Sequence, residues 1–253
     1  MKLNYLDLLS PAPVAIPNAC SVISPKLKDI CSIGFAAYQY YLSLLFMDLK
    51  TYFDLTGCTK VYETLPDTEL AQLSLFDLLT AEENTRQLLA SALRFFIPEN
   101  VTYAGEKNGF LVCSTDGSRV GTISGENYSL VCDVIRQRNH FKSAVQEDLT
   151  KMKSKKALEI AKKLAQGRAR KNTTVKPDGD MELGNIISAV AGQSQSLNLL
   201  NIWDLTVFQL WDSFFRLSHN NLYAIQAMSV AAWGDKDKHF DAASWFKRIN
   251  HET

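Results

Sequence analysis

The sequence predicts a mainly α protein with a small antiparallel β meander, an α+β fold in which a helical domain carries a strand insertion around residues 100–123. Three observations predict it. Apolar residues recur at helical spacing from Leu27 to Phe46 and again from Leu88 to Phe96. Strand-forming residues cluster between Val101 and Ile123, separated by Asn108-Gly109 and Asp116-Gly117, pairs that accept the positive φ of hairpin turns. The segment Ile202–Leu217 then packs Trp203, Phe208, Trp211, Phe214 and Phe215 into one helix-length stretch.

Each element has a local reason. Residues 1–23 are short apolar pieces divided by Pro11, Pro13 and Pro17, which predicts an extended or strand-like entry, because proline lacks the N–H a helix interior needs. Ser24-Pro25 reads as an N-cap followed by a first helical position, opening one long helix to about Leu49, with a loop at Gly57. A second helical block spans about 67–97. Its later part opens on Thr80 and Glu83, the spacing of a capping box, and stops at Pro98. After the meander, Ser124 is the expected cap of a helix carrying Tyr128, Val131, Val134 and Ile135. Asp204 is the expected cap of the aromatic helix. Gly117, Gly121 and Gly125 lie four apart among predicted turns, where strand-turn geometry accounts for them.

The chain divides by composition into residues 1–142, a helical region with the meander inserted; 143–180, a basic helix and polar linker; and 181–253, an aromatic-rich C-terminal helical region. Its 253 residues suffice for one large domain or two modest ones. Twenty-seven Lys plus Arg balance 27 Asp plus Glu, so no net field draws the molecule to nucleic acid or an acidic membrane. The opening residues predict no secretory signal, since Asp7, Pro11 and Pro13 break the apolar stretch. The longest apolar run, Ile33 to Met47, is too short to cross a bilayer, so no membrane association is expected. Five scattered cysteines (Cys20, Cys31, Cys58, Cys113 and Cys132) read as buried free thiols.

Catalytic and metal chemistry find no support in the residues. His140, His219, His239 and His251 are far apart and there is no paired-cysteine motif. Neither a nucleophile elbow nor a phosphate-binding glycine loop is present. The expectation is a protein that is not an enzyme and uses no metal and no cofactor. The aromatic helix is the more informative feature. Val207, Leu210, Phe214 and Leu217 share one face and Phe208, Trp211 and Phe215 a neighbouring one, more than a single buried stripe requires. Most such rings belong to a core; Trp nonetheless dominates interfaces. Trp203, Phe208, Trp211, Phe215, Trp233 and Trp245 are therefore the candidate partner-binding residues. The alternative is a nucleic-acid patch on residues 151–171, with Lys151, Lys155, Lys156, Lys162, Lys163, Arg168 and Arg170 neutralising phosphates. It lacks the interleaved aromatics that stack on bases, and a solvated surface helix accounts for it equally.

Two stretches resemble tail-gene-region proteins from phages of Gram-positive bacteria. The first is Ser24-Pro-Lys-Leu-Lys-Asp-Ile30 running into Ile33-Gly-Phe-Ala-Ala-Tyr-Gln-Tyr-Tyr-Leu42. The second is Ile186-Ile-Ser-Ala-Val190 followed by Asn201–Arg216, whose centre is Leu205-Thr-Val-Phe-Gln-Leu-Trp-Asp212. The resemblance implies a tail assembly chaperone, a helical adaptor that holds a tape-measure protein and recruits tail-tube subunits in the cytoplasm of the infected cell. It leaves open a homo-oligomer, an accessory protein of the same gene cluster and a structural virion component.

Overall fold

The computed structural model describes residues 1–140, 182–235 and 239–247. The chain divides into two compact units. Unit 1 is Met1–Phe141 with Trp203–Gln209, and unit 2 is Lys142–Ile202 with Leu210–Thr253. The described fold is α+β, with helices predominating over two small antiparallel sheets.

Unit 1 opens with a short helix, α1 (Tyr5–Leu9), where the sequence predicts only extended chain. Its cause is local. Asn4 Oδ1 accepts from the Asp7 N–H at 2.9 Å, and the Asp7 carboxylate accepts from the Asn4 N–H at 3.3 Å, so two free donors of the first turn are satisfied. The extended entry is confined to the hairpin of β1 (Val14–Ile16) and β2 (Cys20–Val22).

The long helix expected over 27–49 is two: α2 (Leu27–Ile33) and α3 (Phe35–Phe46). Gly34 between them sits at φ +85°, ψ 142°, a conformation that breaks helical hydrogen bonding and that only glycine adopts readily. Ser24 is not the cap of α2. Lys26 holds that position, and the Asp29 carboxylate accepts from its N–H at 3.1 Å. The short helices α4 (Leu49–Leu55), α5 (Thr59–Thr64) and α6 (Asp67–Leu70) follow, then α7 (Leu75–Ala81) and α8 (Glu83–Phe96). Thr80 belongs to the end of α7, where its hydroxyl donates to the Phe76 carbonyl at 2.9 Å; it does not cap α8.

The meander is β3 (Asn100–Tyr103), β4 (Phe110–Cys113) and β5 (Arg119–Ile123), paired in sequence order. Its inward residues Val101, Phe110, Val112 and Ile123 are buried, with β3 against α8 and the Phe110 ring edge-on to Phe76 of α7. Helix α9 (Tyr128–Arg138) follows. Asn127 holds its N-cap position and fixes the preceding turn, accepting from the Ser124 N–H and donating to the Thr122 carbonyl. The core of unit 1 lies among α3, α8, α9 and the sheets, on Leu45, Leu89, Leu93, Phe96, Val131 and Ile135.

Gly121 marks where the first hairpin meets the meander. A Cβ on it would lie 2.4 Å from the Asn18 carbonyl carbon and oxygen, and the Thr122 N–H donates to that same carbonyl at 3.1 Å. Gly121→Ala is expected to destabilise unit 1 by about 2–3 kcal/mol, as overpacking against backbone does. Urea unfolding followed by far-UV circular dichroism measures it.

The segment Trp203–Gln209 is far in sequence from the rest of unit 1 yet is built into it. The Leu27 N–H donates to the Leu205 carbonyl and the Val207 N–H to the Pro25 carbonyl, both at 2.9 Å. Lys28 Nζ lies 2.7 Å from Asp204 Oδ1, and the two lysines Lys28 and Lys26 hold the Asp204 carboxyl below its usual range. Asp204 is therefore an ion-pair partner, not the cap expected from the sequence. The cap is Thr206. Its hydroxyl accepts from the Gln209 N–H at 3.2 Å while Gln209 Oε1 accepts from the Thr206 N–H at 2.9 Å, a complete capping box. Ser24 joins this seam: its hydroxyl donates to the Arg138 carbonyl at 2.7 Å and accepts from the Phe208 N–H at 3.5 Å.

Candidate protein-interaction surface

Unit 2 contributes helix α10 (Leu183–Gln193) and nearly all of α11 (Val207–Trp233), whose first three residues belong to unit 1. The two differ in length. At about 1.5 Å per residue, α10 is about 16 Å long and α11 about 40 Å. They share a cleft of about 180 Å³, between Ala189, Val190 and Gln193 on α10 and Phe214, Leu217 and Asn221 on α11.

A second face of α11 is occupied by the chain's own tail. Arg216 Nη1 donates to the Trp245 and Lys247 carbonyls at 3.3 and 2.9 Å. His219 Nε2 donates to the Ser244 carbonyl at 2.8 Å, and Tyr223 donates its hydroxyl to the Ala242 carbonyl at 3.3 Å and stacks on Phe240. Residues 216, 219 and 223 are spaced three and four apart, so they lie on one side of the helix. The tail is folded for this contact. Asp235 accepts from the N–H groups of His239 and Phe240, and Asp241 pairs with Lys247, which holds its carboxyl below the usual range.

The remaining face is open. Leu222, Ile225, Met228 and Trp233 are 58, 60, 66 and 81% exposed. Trp245 and Phe246, in the short 3-10 turn Ser244–Phe246, are 52 and 62% exposed. Residues 217–234 contain no Asp, Glu, Lys or Arg. Leu222, Ile225, Met228 and Trp233 thus form an exposed apolar face unrelieved by charge.

The residues singled out from sequence fall into three groups. Phe208 is 2% exposed and its ring meets His140 edge-on at 5.9 Å; it is a core residue of unit 1 and presents no surface to a partner. Trp203 is half-buried in the same unit. Trp211 and Phe215 are half-buried and stack at 5.9 Å, with Phe214 edge-on to both. Trp233 and Trp245 are exposed. The basic set (Lys151, Lys155, Lys156, Lys162, Lys163, Arg168 and Arg170) and the linker to residue 180 lie outside the described residues. The sequence also marks residues 224–233 and Trp245-Phe246 as apolar surface; Leu222, Ile225, Met228 and Phe246, outside the candidate set, are exposed as well. The available signal was apolar spacing that persists beyond Leu217 with no charge to relieve it.

Unit 1 holds a larger cleft of about 450 Å³, lined by Met47, Phe76, Tyr128, Cys132, Asp133 and Arg136. Arg136 pairs with Asp133 at 2.8 Å and lies over the Phe46 ring. Burial pushes the Cys132 thiol up to about 12 and the Tyr128 hydroxyl well above its ordinary value. Both are held neutral at pH 7, the opposite of an activated nucleophile. Cys20 is likewise buried and pushed to about 12. Cys31 and Cys58, by contrast, are exposed, against the expectation that the thiols are buried. Among the described residues no three His, Cys, Asp or Glu side chains converge on a common point, and no helix is long and apolar enough to cross a membrane.

Residues 171–250 match the family model described as the YomV second domain. That family is phage-associated, which suggests a phage protein. No curated protein and no solved structure matches the chain.

Proposed function

We propose that this phage-type chain is a protein-binding assembly factor that acts without turning over a substrate, and that it serves as a tail assembly chaperone. The observation that carries the reading is the open face of α11, where Leu222, Ile225, Met228 and Trp233 stand in solvent on a helix with no charged residue from 217 to 234. Burying such a face removes apolar surface from water at about 25 cal/mol per Å². Its natural complement is the apolar stripe of an amphipathic helix. A tape-measure protein is a long chain of such helices and fits as the client, with tail-tube subunits as second partners.

Co-expression of the tagged full chain with the tape-measure-type and tail-tube products of its neighbouring genes tests this. The expected result is a complex that survives gel filtration and is lost in the double variant Ile225→Glu/Met228→Glu, whose helix content by circular dichroism is unchanged. A chain that co-purifies with neither product, or a complex indifferent to that variant, overturns the reading.

A further inference from the structure

The open face of α11 has a regularity that a general apolar patch lacks. Trp211, Phe215, Ser218, Leu222, Ile225, Ser229 and Ala232 are spaced alternately four and three apart, the period of a seam along which two helices pack. In the first part of the helix Trp211 and Phe215 are half-buried and stack on each other, and Ser218 lines the cleft shared with α10. From Leu222 onward the large residues of the seam, Leu222 and Ile225, are exposed. The exposed half lies beyond the cleft shared with α10, on a helix about 24 Å longer than α10.

We propose that in the absence of a client the occupant of this half-seam is α11 of a second copy of the chain; the inference rests on the protein-binding reading above and names what covers that surface at rest. Charge admits a copy. Residues 217–234 hold no Asp, Glu, Lys or Arg whose sign would set a copy against itself. A two-fold pair also asks only that the patch complement itself. Small residues on the seam, Ser218, Ser229 and Ala232, let two helices approach while Leu222 and Ile225 fill the space between. Area fits a reversible pair. The exposed fractions of Leu222, Ile225, Met228 and Trp233 on the open face of α11 amount to roughly 600 Å² per copy, the scale of a small, reversible interface, below the about 800 Å² per partner of a standard one.

Sedimentation velocity of the purified full chain, without co-expressed partner, across low to high micromolar concentration tests the proposal. The expected result is a reversible monomer–dimer equilibrium. Leu222→Glu/Ile225→Glu should raise the dimer dissociation constant by about a hundredfold or more. Leu200→Glu, which adds charge at a residue 92% exposed but off the seam, should leave it unchanged. Circular dichroism and thermal melts of both variants show whether they fold. A wild-type chain that stays monomeric, or a dimer equally tight in the seam variant, overturns the inference. If the monomer still captures a co-expressed client, only the self-pairing fails. If the chain dimerises through the seam but captures no client, only the client reading fails.

Discussion

Phe208→Ala is expected to destabilise unit 1 by about 3–5 kcal/mol, the cost of removing a buried aromatic ring and leaving a cavity behind. Phe208 is among the largest fully enclosed side chains of the described residues. Its N–H also meets the Ser24 hydroxyl, which in turn holds the Arg138 carbonyl at the end of α9. The cavity would therefore open where three distant stretches of chain meet. Thermal unfolding monitored by circular dichroism is the direct measurement, and a fall in midpoint of about 10 °C is expected for a unit of this size. Because the segment 203–209 is fastened to 24–28 by backbone hydrogen bonds, native-state hydrogen exchange should show faster exchange at Leu27 and Val207 in the same variant. A change below about 1 kcal/mol would mean that the ring is not enclosed.

Arg138→Met is the second large effect, expected at about 3 kcal/mol. Arg138 is wholly buried, and its guanidinium is the anchor of the N-terminal arm. Nη1 donates to the Asp7 and Ser10 carbonyls and Nη2 to the Ala12 carbonyl, the last two at 2.9 Å. Asp7 lies in α1, so the guanidinium satisfies one of the free carbonyls at that helix's C-terminal end. Burial lowers its pKa from the ordinary arginine value and Asp7 opposes that shift; the group stays cationic. Methionine fills the stem volume but leaves three carbonyls without their donor. Arg138→Lys should recover less than half the loss, because one ammonium cannot reproduce a planar fork of donors. Urea titration of the three proteins measures this. The arm is also tied by Gln137, which donates to the Met1 carbonyl and accepts from the Leu3 N–H, so the Arg138 variants should free residues 7–12 before residues 1–3. Limited proteolysis reads that order.

What was legible followed from short-range chemistry. The meander could be read because Asn108-Gly109 and Asp116-Gly117 demand turns and Val101, Phe110, Val112 and Ile123 alternate with less buried neighbours. The stop of α8 before Pro98 could be read because proline has no N–H. The helix break at Gly34 was written in the sequence but hidden by the apolar spacing on either side, which continues in phase as if the helix did. The caps were misassigned for a related reason. Ser24, Thr80, Ser124 and Asp204 all have the chemistry of a cap, but tertiary partners hold the Ser24 hydroxyl and the Asp204 carboxylate, a carbonyl of its own helix holds the Thr80 hydroxyl, and Asn127 takes the cap position in place of Ser124. Thr206 and Gln209, three apart, carried the capping-box signature that was read at Thr80 and Glu83.

The apolar richness of the C-terminal third was legible as a region, but which of its side chains are exposed was not. Trp233 and Trp245 are exposed, as a partner-binding reading requires, while Phe208 is enclosed. No periodicity separates these cases, because a ring facing its own core and a ring facing solvent have the same spacing on a helix. The helical character of the chain, the position of its strands and the richness of its C-terminal third in apolar side chains were determined by the sequence alone, through dihedral preference and hydrophobic period acting over a few residues. Tertiary structure decided the rest: that residues 203–209 are fastened into the N-terminal unit, that Arg138 gathers an arm about 130 residues away in sequence, and that α11 outruns α10 and leaves its far half open. Those outcomes depend on which surfaces meet across the chain, and hydrogen-bond partners and helix lengths set at a distance leave no mark in any local window of residues.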